Sequence, residues 1–372
     1  MLYSMIAVAA SLLVVLLVLE AAFRIAGIDP RPPRLRDVEI RRDDGSWERV
    51  SVWGTSPLKR DSPFREVAMG EFVPDVDFRF IYYDRTAAGA DEEWVTSIVT
   101  GRINRYGLRG PEIEPDKPDG VFRVLVLGDS FTFGAGVADD ESFPAQLQPL
   151  LAGSCATPRR FEVINAGVSG YNTADEVVNL ERRWLPELEP DLVLLTFYVN
   201  DAYDDTRMAA AMRGGALSGS GSAWFWRSRF LGWLASRITA WKTARDTEAL
   251  YRAQFSDDPE LAGHNWQASR AALGRAAAVT RERGVPLAIV IFPDLHGLDD
   301  VYPFEFVHRE VTSAADESAV PVLDLLETFR GRDPRSLWVH PTDHHPNAEA
   351  HARAAEALNR WVCQLADDAI DG

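Results

Sequence analysis

The stretch RVLVLGDSFTFGAGV, Arg123–Val137, decides how the rest of the chain is read. An apolar run stops at Gly128-Asp129-Ser130, and glycines return at positions 134 and 136. A short apolar run bounded by turn residues reads as a buried strand. Ser130 stands where that strand gives way, so its hydroxyl can be exposed. It is either a turn's hydrogen-bonding group or an attacking nucleophile.

Working outward, the same pattern recurs. FEVINAGVSG, PDLVLLTFYVND and VPLAIVIFPD are further apolar runs, with VPVLDLLETF a weaker fifth. Helical stretches separate them: ESFPAQLQPLLAG, TADEVVNLERRWLPEL, NWQASRAALGRAAAVTRERG and FEFVHREVTSAADESA, with a last helix expected from about Pro346 to Leu365. Strand–helix alternation implies a parallel sheet covered on both faces. Four strands end in polar or glycine-containing clusters, at Gly128-Asp129-Ser130, Ser169-Gly170-Tyr171, Asn200-Asp201 and Pro293-Asp294. Open parallel sheets bind ligands beyond the carboxyl ends of their strands, so these clusters are expected on one edge, forming a site.

The segments around this core differ in character. Between Leu2 and Phe23 the only charge is Glu20, and about 20 apolar residues can span a bilayer as a helix. Residues 1–28 are therefore expected to be an uncleaved anchor, with a cleaved signal peptide as the alternative. Six arginines follow between 24 and 42, which favours keeping that flank in the cytoplasm, although long domains cross regardless of such charges. Residues 29–120 read as a linker, with little structure of its own to about 66, and then a small β-containing extension carrying FRFIYYD and WVTSIVTGRINRYGLRG. Residues 121–366 form the expected catalytic domain, interrupted by a helical insertion at about 203–264. There Trp226, Phe230, Trp233 and Leu234 share one helical stripe, which fits packing on the core, a substrate-covering lid or contact with a membrane surface.

Composition narrows the function. The 372 residues include 39 basic and 56 acidic side chains, a net charge of −17 that argues against a nucleic-acid partner. Cys155 and Cys363 are the only cysteines, and with no CxxC pair a zinc ribbon or thioredoxin-type site is unsupported. There is no HExxH, GxSxG, Walker or GxGxxG pattern.

A nucleophilic serine needs a base, a group that orients the base, and donors for the developing oxyanion. Four of the seven histidines crowd into HPTDHHPNAEAH, and His345 has the best context among them. Asp343 lies two residues before it, and Pro346 suits the first position of a helix, which would set His345 at a helix start. Asp343 could then hold the ring and stabilise the imidazolium. The backbone N–H of Ser130, the N–H of Gly170 and the Asn200 side-chain amide are candidate oxyanion donors. Each signal has a plain alternative: a structural turn serine in a binding-only protein, an Asn-Asp helix cap, or a His/Asp cluster that binds metal.

Taken in order, GDSFTFG, NAGVSGYN, YVND and DHHPN resemble the four blocks of the SGNH, or GDSL-type, hydrolases. The resemblance covers roughly residues 121–365 and extends upstream through INRYGLRGPE, a lead-in similar to that of membrane-anchored bacterial members. It implies a three-layer α/β/α, flavodoxin-like sandwich and ester hydrolysis without metal or other cofactor. It makes Ser130 the nucleophile, His345 the base, Asp343 its partner, and Ser130, Gly170 and Asn200 the oxyanion hole. The usual hydrolase block has Asp three residues before His, where this chain has Thr342. The Asp343-x-His345 spacing is similar to branches that include polysaccharide O-acetyltransferases. The resemblance thus implies a small-molecule or glycan ester substrate, with hydrolysis of short-chain or acetyl esters leading and acyl transfer to a glycan hydroxyl second. Flavodoxin-like order also sets the first and last helices side by side, which implies a Cys155–Cys363 disulfide. An oxidised pair and the envelope setting of resembling members imply an extracytoplasmic domain on a single N-terminal helix.

Overall fold

The computed structural model describes residues 2–27, 36–50, 58–64, 66–67, 70–85, 93–114, 116–155, 160–202, 228–255, 266–299 and 301–371. An apolar helix, Leu2–Ile25, comes first. Strands β1 (Asp37–Arg41), β2 (Trp47–Val50), β5 (Val76–Arg85) and β6 (Glu93–Ile103) then form an antiparallel sheet of order β2-β1-β5-β6. Between them, β3 (Lys59–Arg60) and β4 (Glu71–Phe72) pair as a small ribbon. The segment before residue 66 is thus not the featureless linker expected from its composition. Val38 and Ile40 alternate inward on β1, and a turn at Gly45 returns the chain to β2.

The central sheet consists of β7 (Val121–Gly128), β8 (Arg160–Gly167), β9 (Leu192–Phe197), β10 (Leu287–Ile291) and β11 (Val322–Asp324). All neighbours are parallel, in the order β11-β10-β9-β7-β8. This is the flavodoxin-like order, and it reverses at β7. Every residue of β7, β9 and β10 is buried, as a strand covered on both faces requires. Helices Thr173–Asn179, Trp266–Glu282 and Glu305–Glu317 pack in sequence on one another, and Phe143–Ser154 packs on the long last helix, Ala348–Asp371. That second pairing brings Cys155 to Cys363 with Cα atoms 5.1 Å apart, and the two form a disulfide.

A hairpin of β12 (Trp338–His340) and β13 (Asp343–Pro346) precedes the last helix. Here the expectation of a helix starting at Pro346 is corrected. Pro346 closes β13 opposite Trp338, and the helix begins at Ala348. Asn347 supplies the cap, its Oδ1 accepting from the Ala350 N–H at 3.0 Å. His345 is consequently a strand residue.

A second apolar core lies between the extension and the sheet. Val38, Phe78, Phe80 and Tyr82 meet Phe133 and Ala135 from the segment after Ser130, and Val168 and Tyr171 from the loop after β8. The extension therefore packs directly on the loops that carry the expected site.

Of the Trp-rich insertion, residues 228–255 are described, while Trp226 lies outside the described residues. Helix Arg229–Gln254 is held at both ends. At its start Glu20 of the apolar helix accepts from Ser228 Oγ (2.7 Å) and from the N–H groups of Arg229 (3.2 Å) and Phe230 (3.1 Å). Phe23 meets Phe230 and Trp233 edge-on, each at 5.5 Å. Toward its other end Tyr251 packs on Phe304 and Arg252 lies over Phe306.

Candidate active site

Ser130 opens a one-turn helix, Ser130–Phe133, directly after β7, at the strand where the sheet order reverses. Gly128 makes the turn possible: its φ is +154°, and a Cβ there would lie 2.1 Å from Thr132 Oγ1. Asp129 caps the helix through the Phe131 N–H at 2.8 Å. Arg109, from the INRYGLRG lead-in, is buried and donates to the carbonyls of Phe133, Gly134 and Val137 while pairing with Asp139 at 2.7 Å. The lead-in thus clamps the segment that follows the serine.

The β12–β13 hairpin brings the acid and the imidazole to that hydroxyl. His345 Nε2 lies 2.8 Å from Ser130 Oγ, and His345 Nδ1 lies 2.5 Å from Asp343 Oδ1. Asp343 rather than Thr342 makes this contact, and Thr342 bonds His340 instead. His344, the neighbour most easily mistaken for the base, points elsewhere, against Trp338 and His296.

Asp343 Oδ2 is also engaged. It accepts from Tyr82 Oη at 2.9 Å and from Arg36 Nη1, both from the extension. Burial would raise the Asp343 carboxyl, but the charges of His345 and Arg36 and its hydrogen bonds outweigh that, holding it well below the usual carboxylate range. Burial and the Asp343 charge push the Tyr82 phenol up.

The candidate oxyanion donors stand at neighbouring strand ends. Gly128 pairs with Gly167, and the Val168 N–H reaches the Gly128 carbonyl at 2.9 Å. The turn Val168–Tyr171 therefore runs beside that of Ser130, with Gly170 at φ +85°. The extension supports this turn too: Lys59 Nζ donates to the Ser169 carbonyl at 2.5 Å, and Tyr171 Oη to the Gly70 carbonyl at 2.8 Å. Asn200 lies in the turn after β9 and donates through Nδ2 to Asp129 Oδ2 at 3.0 Å. Burial pushes the Asp129 carboxyl up, against its hydrogen bonds from the Phe131 N–H and Asn200.

Several of these neighbours escaped the sequence reading. Arg36 and Tyr82 sit more than two hundred residues from Asp343, and no local spacing announces such contacts. Asp294-x-His296 repeats the pattern of Asp343-x-His345, and its Nδ1–Oδ1 contact of 2.8 Å repeats the pairing. Among the described residues no group of three or more His, Cys, Asp or Glu side chains could hold a metal ion.

The fold is a flavodoxin-like α/β/α sandwich that carries a serine at the end of the strand where the sheet order reverses. The chain belongs to the GDSL-like lipase/acylhydrolase family, whose model matches residues 126–353. It is thereby an ester hydrolase at the level of the family. Among solved structures, that of TesA is 18% identical over 65% of this chain and 97% of its own, with a TM-score of 0.41. An acetylxylan esterase from Geobacillus stearothermophilus is 17% identical over 65% and 94%, with a TM-score of 0.39. The psychrotrophic esterase EstA from a Pseudoalteromonas species is 14% identical over 64% and 98%, also with a TM-score of 0.39. No curated protein matches the chain.

Proposed function

We propose that this chain is a serine esterase that cleaves short-chain or acetyl esters of a small molecule or glycan through an acyl-serine intermediate. The observation that carries the reading is the hydrogen-bond chain Ser130–His345–Asp343 at the switch point of the sheet. Ser130 Oγ attacks the ester carbonyl while His345 Nε2 takes its proton. Asp343 holds the ring through Nδ1 and balances the imidazolium charge. The N–H groups of Ser130 and Gly170 and the second proton of Asn200 Nδ2 stabilise the oxyanion. The tetrahedral intermediate collapses, His345 protonates the departing alcohol, and water, activated by the same imidazole, releases the acid.

Acyl transfer to a sugar hydroxyl is the second reading. It is favoured by the side chains of Trp338, His344 and His296, which cluster next to β13 with ring centroids 4.1–4.8 Å apart. Such rings, with His296 Nδ1 fixed by Asp294, suit the face and hydroxyls of a sugar. With p-nitrophenyl acetate, Ser130→Ala is expected to lower kcat by at least about 10³-fold without loss of fold. Added oligosaccharide then sorts the products: free acetate marks hydrolysis, and acetylated glycan marks transfer.

For location we infer a retained membrane anchor with an extracytoplasmic catalytic domain. The apolar helix contains a span, Met5–Ile25, of mean hydropathy 2.7, long and apolar enough to cross a bilayer. Retention is favoured because Glu20 and Phe23 are fitted to the start of helix Arg229–Gln254. The disulfide favours an oxidising compartment.

A further inference from the structure

We infer that Arg36, carried by the extension rather than by the hydrolase fold, is a positioning residue that sets the basicity of His345 through Asp343. This rests on the triad proposed above. The Arg36 side chain is 8% exposed and its Nη1 reaches Asp343 Oδ2, the oxygen facing away from the imidazole. The same Nη1 lies 3.4 Å from His345 Nδ1, and the guanidinium carbon lies 4.9 Å above the Phe80 ring. Tyr82 donates to the same carboxylate oxygen, so Asp343 is held by the extension on one side and by His345 on the other.

Two consequences follow from elementary electrostatics. The carboxylate is held in its plane, since tilting it would break the contacts of one oxygen to Arg36 and Tyr82 and of the other to His345. A cation on the far oxygen also offsets part of the negative charge that faces His345. Without Arg36 the imidazolium would be stabilised by an uncompensated carboxylate, and the neutral, reactive ring would be reached only at higher pH. The other groups facing His345 leave this direction unchanged. Asp129 and Ser130 approach from the turn after β7, and the Phe131 ring from the helix it starts. His351, from the last helix, is kept uncharged by burial, and His344 turns away toward Trp338.

The test is the pH dependence of kcat/KM on p-nitrophenyl acetate for the full chain and Arg36→Gln. The acidic limb is expected to move up by about one pH unit, with plateau kcat lowered about tenfold. Arg36→Lys, which keeps the charge without the fork, is expected to hold the limb within a few tenths of its original position while losing part of kcat. A limb that stays in place in Arg36→Gln, whatever the loss of rate, overturns the inference. Should Arg36→Gln fail to fold, Arg36→Met, which keeps an unbranched side chain without the charge, is read in the same way. Failure of both to fold assigns Arg36 to stability and also overturns it. Ser130→Ala separates this from the parent reading. If that variant is inactive while the Arg36→Gln limb is unmoved, the triad stands and the role of Arg36 falls. If Ser130→Ala turns over substrate, the triad itself falls.

Discussion

Asp129 shows how much a single side chain can do without touching a substrate. One oxygen accepts the Phe131 N–H and the other accepts Asn200 Nδ2, so one carboxylate fixes both the serine turn and a proposed oxyanion donor. Asp129→Asn keeps the shape and reverses the second contact, because a donor would then face a donor. Asn200 would have to flip and present its carbonyl where the oxyanion forms. The expected result is a fall in kcat of about 10²-fold with KM little changed, the size associated with loss of one oxyanion donor. Unchanged kcat would remove Asn200 from the oxyanion hole. The sequence made Ser130 legible because a polar residue at the tip of an apolar run needs a reason. The partnership of Asp129 with Asn200 was not legible, since it joins two strand ends through space.

Among the elements, the β12–β13 hairpin differs most from its sequence reading. DHHPN reads as the entry to a helix because proline suits a first helical turn, but Asn347 is the better cap and takes that position. The preceding four residues are then free to pair with β12, and the strand's alternation points Asp343 and His345 one way and His344 the other. Hairpin β1–β2 escaped notice for a related reason. Two strands of five and four residues, rich in charge, carry too few apolar positions to show their period. The last helix adds a testable liability. His351 is fully buried, its Nδ1 accepts the Phe143 N–H at 3.2 Å, and burial pushes its pKa down to about 3. A histidine depressed in the folded state stabilises fully above its unfolded value and loses that contribution as pH falls toward its folded value. Between about pH 6.5 and about pH 3, one proton uptake costs about 1.4 kcal/mol of stability per pH unit. His351→Asn keeps an acceptor for the Phe143 N–H without titrating there. Urea denaturation from pH 7 to pH 4 is expected to show a shallower decline in the variant. Parallel declines would mean that other groups govern acid unfolding.

At the scale of the whole molecule, helix Arg229–Gln254 joins the apolar helix to the catalytic body. Its 26 residues span about 39 Å at the usual helical rise. The strand–helix alternation was enough to place the parallel sheet, and the four strand-end clusters pointed to the edge that carries the proposed site. The insertion was not legible in the same way, because an aromatic stripe looks alike whether it packs, covers or anchors. What distinguishes these cases is the partner, and Glu20 and Phe23 are far away in sequence. The disulfide closes a separation of 208 residues, for which chain entropy gives a stabilisation of about 5 kcal/mol as an upper figure. Both whole-molecule proposals meet in one measurement, the non-reduced intact mass of protein extracted from membranes. The expected mass includes residues 1–27 and lacks the two thiol hydrogens. A shortened chain contradicts the anchor, and two free thiols contradict the oxidising compartment.

The central claim is that Ser130 is an activated nucleophile, and covalent capture tests it most directly. The native chain and Ser130→Ala are treated with a fluorophosphonate and weighed intact. One adduct on the native protein, displacing fluoride at Ser130 and absent from the variant, is the expected result. A well-folded native protein that takes no adduct, or a variant that still takes one, would contradict the account.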